Sequence, residues 1–156
     1  MIYTGVRIDE LLSLKKENIH LEEHYFDVIK SKTENGIRKV PISDYIYPFI
    51  ENWYHSSKCE YLLHTEEDKR FKYRNYYDSY FLPLMIQLGF DQTPHCCRHT
   101  CISLLAEAEV SPTYQKMIVE HKGAMSLTEK IYTHIDIKLL IDAVNSIYYP
   151  KSIKNK

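Results

Sequence analysis

The 156-residue chain contains little glycine and has no excess of charge of either sign. Its four glycines leave few positions for tight turns, which favours helices over a sandwich of many strands. Lysine and arginine number 20 against 21 aspartates and glutamates, which excludes a general basic coating for nucleic acid but not a local basic site. No apolar run approaches the roughly 18 residues that a membrane span requires. The composition, with 44% hydrophobic and 26% charged residues, is typical of one globular domain.

The four cysteines show no spacing that is typical of a disulfide framework. The first residues also lack the basic and then apolar pattern of a signal peptide, so we expect a reduced, cytoplasmic chain. Adjacent Cys96 and Cys97 point apart on a helix, and the chain has no second pair of neighbouring cysteines. A zinc site built from them with Cys101, His95 and His99 is therefore not expected.

Apolar periodicity and turn residues predict an α+β fold, mostly helical, with a small three-stranded antiparallel sheet near the amino terminus. The strands are expected at about 18–21, 24–29 and 37–42, and Asn35-Gly36 marks a hairpin turn with Lys32 near its tip. Helices are expected at 8–14, 43–56 (with Ser43 or Asp44 as its N-cap), 73–88 (ended by Gly89), 95–108, 112–119 and 136–148, with a short segment at 126–132.

Six side chains spread along the chain together suit attack on a phosphodiester. His95 and Arg98 lie at the start of one predicted helix, where residues three positions apart share a face and the helix end attracts phosphate. The other four come from separate segments: Arg7, Lys32, His121 and Tyr132.

The chemistry of these residue types is complementary. Two arginines can bind the phosphate oxygens and stabilise the charge that grows in the transition state. A lysine near a hairpin tip can donate a proton to the leaving oxygen, and histidines can assist proton transfer. A tyrosine is a competent covalent nucleophile once it loses its proton. None of these roles requires a metal or a nucleotide cofactor.

Five segments, taken in their order and spacing, resemble the tyrosine recombinases, also called phage integrases. The segments are Thr4-Gly-Val-Arg7-Ile-Asp-Glu10, Lys32-Thr33 with Arg38-Lys39-Val40-Pro41-Ile42, Pro94-His95-Cys-Cys-Arg98-His99-Thr100, Glu120-His121-Lys122-Gly123 and Ile131-Tyr132-Thr133-His134. Each match alone is weak, but five in order make a specific signal that covers most of the chain.

The resemblance implies a role for each matching residue. Tyr132 would attack the scissile phosphate, forming a 3′-phosphotyrosyl link and releasing a 5′-hydroxyl, so that strands can be rejoined without ATP. The remaining roles would be held by Arg7 and Arg98 as the phosphate clamp, Lys32 as general acid, His95 and His121 in proton transfer, and Glu10 as the acidic residue that orients the site.

The resemblance also implies a domain arrangement and partners. Residues 1–150 would form the catalytic domain and 151–156 a basic tail, without the preceding helix and core-binding domain of the family. Double-stranded DNA would be the partner, with a homotetramer assembled on it through the carboxy-terminal helix. The apolar stripe of that helix fits packing in cis equally well; it comprises Ile137, Leu140, Ile141, Val144 and Ile147.

Two alternatives share this residue pattern. A type IB topoisomerase or telomere resolvase would use the same chemistry, although a carboxy-terminal helix suited to exchange favours the recombinase. A truncated remnant would keep the site residues and bind DNA, or simply fold, without catalysis. Because the clamp on the far face of DNA is missing, we expect the isolated chain to be poorly active or inactive.

Overall fold

A computed structural model describes residues 1–29, 37–56, 58–119 and 135–148. Within these ranges the chain is mostly helical with one three-stranded antiparallel sheet, which confirms the predicted fold class. The elements in chain order are α1 (Ile8–Leu12), β1 (Ile19–His20), β2 (Tyr25–Ile29), β3 (Ile37–Pro41), α2 (Tyr47–Ser56), α3 (Tyr73–Tyr76), α4 (Leu82–Leu88), α5 (Pro94–Glu107), α6 (Pro112–Val119) and α7 (Ile137–Asn145). None of these described helices is long and apolar enough to cross a lipid bilayer.

The predicted hairpin is present, with β2 at the centre of the sheet and β1 and β3 on either side. Phe26 pairs with Val40 and Val28 pairs with Arg38. Because residues directly opposite each other share a face, Arg38 lies on the same side of the sheet as these buried apolar side chains. The hairpin tip, including Lys32, lies outside the described residues.

The helix predicted over 73–88 forms with an irregularity in its middle. A π-helical turn, Tyr77–Phe81, connects α3 to α4, and the backbone stays right-handed at both junctions. The wide turn comes just before Pro83, which has no N–H to donate to a carbonyl four residues earlier. Gly89 ends α4 in the left-handed conformation (φ 71°), as predicted.

The helix expected from Ser43 begins only at Tyr47, after a turn in which the Ser43 carbonyl accepts from the Tyr47 N–H at 3.0 Å. Ser43 is fully buried, and the Asp44 backbone N–H donates to Asn145 Oδ1 at 2.9 Å. The Asp44 carboxylate lies 3.3 Å from the His24 ring. The loop before α2 is therefore in contact with α7 and with the turn that precedes β2.

Two clusters of buried apolar side chains form the core. The first lies between the sheet and α2, and the second holds α5, α6 and α7 together. Leu140, Val144 and Ile147 of the carboxy-terminal stripe are buried in the second cluster, so in the single chain this stripe packs in cis. Docking of this helix on another subunit stays a prediction.

Candidate active site

The segment Thr4–Arg7 reaches the carboxy-terminal end of α6 because of a glycine. Gly5 has a left-handed backbone (φ +60°), and a Cβ atom there would lie 2.5 Å from Val119 Cγ1. Only glycine combines this conformation with such a close approach. The segment then leads into α1, with Arg7 as its N-cap residue.

Glu10 holds Arg7 at two points. The backbone N–H of Arg7 donates to Glu10 Oε2 at 2.8 Å, and Arg7 Nη1 lies 3.0 Å from Glu10 Oε1. The Arg7 side chain is 44% exposed and that of Glu10 only 11%. The carboxylate is thus largely shielded, and the Arg7 side chain extends from it towards solvent. The orienting role of Glu10 stays a prediction.

Arg98 lies on the buried face of α5, together with Pro94, Cys101 and Leu105. Its guanidinium donates hydrogen bonds to the carbonyl oxygens of Gly5 and Val119. A charged group in the interior is tolerated only where it is hydrogen-bonded. Arg98 therefore joins three segments that are distant in sequence: α5, the loop before α1 and the end of α6.

Arg7, His95 and Arg98 line one cavity of about 310 Å³. Tyr73 and Thr93 line the same cavity, so the start of α3 and the start of α5 form part of its wall. His95 is exposed in the first turn of α5, and its ring meets that of His99 edge to face at 4.6 Å. Two cations and a histidine thus face one space in which a phosphate group fits.

The cysteines of α5 differ in ionisation. A hydrogen bond with Thr93 (Oγ1 to Sγ 3.5 Å) and with backbone at the helix start lowers the pKa of the Cys96 thiol. Burial raises the pKa of Cys97, and it raises the pKa of Cys101 to about 11. Cys96 is therefore the most readily ionised of the three thiols, and Cys101 stays neutral at physiological pH.

Cys59, His64 and Asp68 form a group of potential metal ligands among the described residues, with ligand atoms within 4.8 Å of one another. The turn itself uses these atoms. Cys59 Sγ donates to the Asp68 carbonyl at 3.2 Å, and His64 Nδ1 lies 2.9 Å from the Thr65 carbonyl and 3.3 Å from Asp68 Oδ1. These contacts within one turn explain why the three side chains lie close together.

Comparison with known proteins decides the family. The model of the phage integrase family matches residues 1–138. This chain belongs to the phage integrase family. The resemblance that the five segments carry is thereby confirmed.

A curated relative of this family member is the tyrosine recombinase XerA of Saccharolobus solfataricus. The two are 27% identical over 139 residues, which is 86% of this chain and 43% of that protein. The chain therefore spans less than half the length of this relative.

Solved integrase and recombinase structures share the fold. The integrase of mycobacterium phage Brujita superposes with a TM-score of 0.74 at 18% identity, covering 94% of this chain and 48% of that one. The XerA recombinase superposes with a TM-score of 0.67 at 24% identity, covering 90% of this chain and 53% of that one. The Tn1549 transposon integrase, solved in complex with transposon right end DNA, superposes with a TM-score of 0.66 at 21% identity. The match covers 88% of this chain and 53% of that one.

Within this family member the structure brings together the described candidate residues: Arg7, Glu10, His95 and Arg98. Lys32, His121 and Tyr132 lie outside the described residues. The elements that lead to two of them are nonetheless placed: β2 and β3 flank the Lys32 hairpin, and α6 ends at Val119, two positions before His121.

Sequence reasoning missed two residues near the site. The motif pattern assigns Arg38 only to the lysine hairpin, yet Arg38 Nη2 donates to Glu10 Oε2 at 2.7 Å. Its signal was available, because Val40 and Ile42 at alternate positions are apolar and place Arg38 on the core face of β3. Tyr73 borders the cavity although its segment gave no indication beyond a run of tyrosines.

Proposed function

We propose that this chain is the catalytic part of a site-specific DNA recombinase that cuts and rejoins double-stranded DNA through a covalent tyrosine intermediate. The observation that carries the proposal is the cavity in which Arg7, His95 and Arg98 meet, in a chain of the phage integrase family. The Tn1549 integrase, a structural neighbour, has been solved with DNA, which agrees with DNA as the substrate here.

In the proposed reaction the Tyr132 oxygen attacks the scissile phosphorus. A phosphorus–oxygen bond to tyrosine forms, and the bond to the 5′ oxygen breaks. The tyrosine proton leaves with the help of His95 or His121, and Lys32 donates a proton to the 5′ oxygen. Arg7 and Arg98 bind the non-bridging oxygens and stabilise their growing charge, so no metal and no ATP enters the step.

Glu10 and the main-chain carbonyls have a preorganising role in this proposal. Arg98 is fixed by the carbonyls of Gly5 and Val119, and Arg7 by the Glu10 carboxylate. Fixed donors stabilise a transition state without reorganising during the reaction. The two arginines are therefore held in place beside one cavity before a phosphate enters it.

Covalent trapping tests the proposal. A nicked DNA substrate carrying sequence that flanks the source gene loses its short 5′-hydroxyl strand after cleavage, so the protein–DNA adduct accumulates and is visible on a denaturing gel. We expect an adduct that disappears in Tyr132→Phe and persists in the control Tyr45→Phe. The control alters a half-exposed tyrosine that is distant from Tyr132 in the sequence. EDTA should leave adduct formation unchanged, because in this proposal arginines and not a metal ion stabilise the charge on the phosphate oxygens.

The assay is run on the chain as it stands and on the chain extended by any coding sequence that precedes it. We expect little or no adduct from the shorter form, because it spans less than half the length of the XerA relative. An extended protein that binds the DNA but forms no adduct would contradict the proposal and favour a DNA-binding remnant. Loss of the adduct with EDTA and its return with Mg²⁺ would contradict the metal-free step.

The domain arrangement and assembly are part of the same proposal. We place the catalytic domain at residues 1–150 and the basic tail at 151–156, and we expect a homotetramer on DNA through the carboxy-terminal helix. Since the apolar stripe of α7 is buried in cis, contacts with another subunit in this conformation would involve exposed positions such as Leu139 and Tyr148. Light scattering of the protein with and without its DNA measures this assembly.

A further inference from the structure

Arg38 is a cation on the buried face of a strand. Its side chain is only 10% exposed, and it shares the face of β3 that carries Val40, which is fully buried. The ionised head of such a residue needs partners, because burying an unpaired charge costs several kcal/mol. Lys39, the next residue, points to the other face and lies over the ring of Tyr25 at 4.7 Å.

The guanidinium of Arg38 bridges two parts of the candidate active site. Arg38 Nη2 donates to Glu10 Oε2 at 2.7 Å, and Arg38 Nη1 donates to the Ile118 carbonyl at 2.6 Å. Glu10 is 28 positions away and Ile118 is 80 positions away. One side chain thus joins the lysine hairpin to the first arginine segment and to the last turn of α6.

The contact with Glu10 determines what that carboxylate does for Arg7. Oε2 accepts from Arg38 and from the Arg7 backbone, so Oε1 is held towards Arg7 Nη1 at 3.0 Å. An exposed ion pair three positions apart on a helix is worth only about 0–1 kcal/mol and orders its side chains weakly. With one oxygen clamped in the interior, the same pair gives Arg7 a defined position.

We propose that Arg38 is a positioning residue that orients Arg7 through Glu10 and anchors the carboxy-terminal end of α6. This inference rests on the proposed function for its consequence in cleavage, but the orientation of Arg7 is a property of the protein without DNA. Arg38 itself does not line the cavity that Arg7, His95 and Arg98 share.

The first experiment needs no DNA. The {¹H}–¹⁵N heteronuclear NOE of the Arg7 side-chain Nε–H, assigned with Arg7→Lys, is measured in the wild type, Arg38→Met and Lys39→Met. We expect the value to fall in Arg38→Met and to stay at the wild-type level in Lys39→Met, which removes a charge from the same strand. An unchanged value in a folded Arg38→Met would overturn the proposal.

The second experiment is a double-mutant cycle on the rate of adduct formation by the extended protein. Arg38→Met is expected to slow cleavage about 10- to 100-fold, the loss typical of removing a partner that orients a functional group. If Arg38 acts through Arg7, the double variant Arg38→Met with Arg7→Ala cleaves no more slowly than Arg7→Ala alone. A double variant slower by the full factor of Arg38→Met would overturn the route through Arg7.

Arg38→Lys guards against a variant that does not fold. It keeps a cation beside Glu10 but lacks the fork that reaches both Glu10 and Ile118. We expect an intermediate fall in the Arg7 NOE and an intermediate rate, and wild-type values for both would overturn the proposal. If the extended wild-type protein binds the DNA but forms no Tyr132-dependent adduct, the proposed function fails, while the NOE comparison still decides whether Arg38 orients Arg7.

Discussion

Arg38 and Arg98 are the side chains that make this interior unusual. Each occupies a position where periodicity calls for an apolar residue: Arg38 alternates with Val40 on β3, and Arg98 follows Pro94 and precedes Cys101 on α5. A guanidinium carries five N–H donors in a planar fork, so one residue can satisfy several acceptors at once. Both use this property on the main-chain carbonyls at the end of α6.

The cysteines of α5 provide a test of individual side chains. We expect iodoacetamide at pH 7.5 to alkylate Cys96 fastest and Cys101 slowest in the folded protein. The lowered pKa of Cys96 gives it more of the reactive thiolate, whereas Cys101 is fully buried with a pKa of about 11. Peptide mapping by mass spectrometry gives the rate at each site.

The matched control for this experiment is Thr93→Val. It removes the hydroxyl that lowers the Cys96 pKa and should slow alkylation at Cys96 without changing Cys101. Equal rates at Cys96 and Cys101 in the native protein would show that α5 does not bury the face described here.

The loop before α1 shows how a helix start is fitted to the rest of the fold. Its backbone must turn left-handed at Gly5 so that the Gly5 carbonyl reaches Arg98 while Val119 packs against the same residue. A side chain at this position meets two penalties. The left-handed conformation costs about 1–2 kcal/mol for other residues, and overpacking typically adds about 1–3 kcal/mol.

Gly5→Ala should therefore lower the free energy of unfolding by about 2–5 kcal/mol, measured by urea denaturation. Gly89→Ala is the control, since Gly89 is also left-handed (φ +71°) but has no atom within 4 Å of a built Cβ. Gly89→Ala should lower the free energy of unfolding only by the conformational cost, about 1–2 kcal/mol.

A second background isolates the contact between elements. Val119→Ala removes the Cγ1 atom that would lie 2.5 Å from a Cβ at position 5. In that background Gly5→Ala should lower the free energy of unfolding no more than Gly89→Ala does. An unchanged cost would mean that the approach of the loop to α6 is not what Gly5 provides.

The surface of the whole molecule combines a near-zero net charge with an apolar patch on α4. The chain has a formal net charge of −1, and Leu84, Ile86, Leu88 and Phe90 are 48–70% exposed. Several exposed apolar side chains on and just after α4, together with little net charge, favour association. We therefore expect the chain to self-associate as its concentration rises.

Ile86→Glu should reduce this association, as measured by light scattering. Its unfolding midpoint should hardly change, because Ile86 is 70% exposed and surface substitutions usually stay within about 0.5 kcal/mol. Gln87→Glu adds the same charge at the neighbouring exposed position but leaves the patch intact. Equal effects of the two substitutions would assign the association to net charge instead of the patch.

Much of the fold was predictable because its signals are local. The sheet follows from β-branched and aromatic runs around Asn35-Gly36, and the end of α4 follows from Gly89. The start of α2 was predicted too early, at Ser43, because this serine is fully buried and a turn separates it from the helix, which begins at Tyr47. Capping preference is a weak force compared with packing of the core.

For the candidate site, the order and spacing of motifs identified Arg7, Glu10, His95 and Arg98 before any geometry was known, and the family match agrees with that interpretation. Side chains at i and i+3 share a helix face, so the pairing of His95 with Arg98 is also a local property. The roles of Lys32, His121 and Tyr132 stay predictions, and the trapping experiment tests that of Tyr132.

The sequence by itself determined the fold class and the family and supplied the candidate site residues, because these depend on composition, periodicity and motifs within short windows. Only the tertiary structure decided that Arg98 binds Gly5 across 93 positions, that Arg38 joins Glu10 to Ile118, and that the stripe of α7 is buried in cis. Such contacts depend on how elements pack in three dimensions, and a guanidinium can satisfy any acceptor that packing brings within reach.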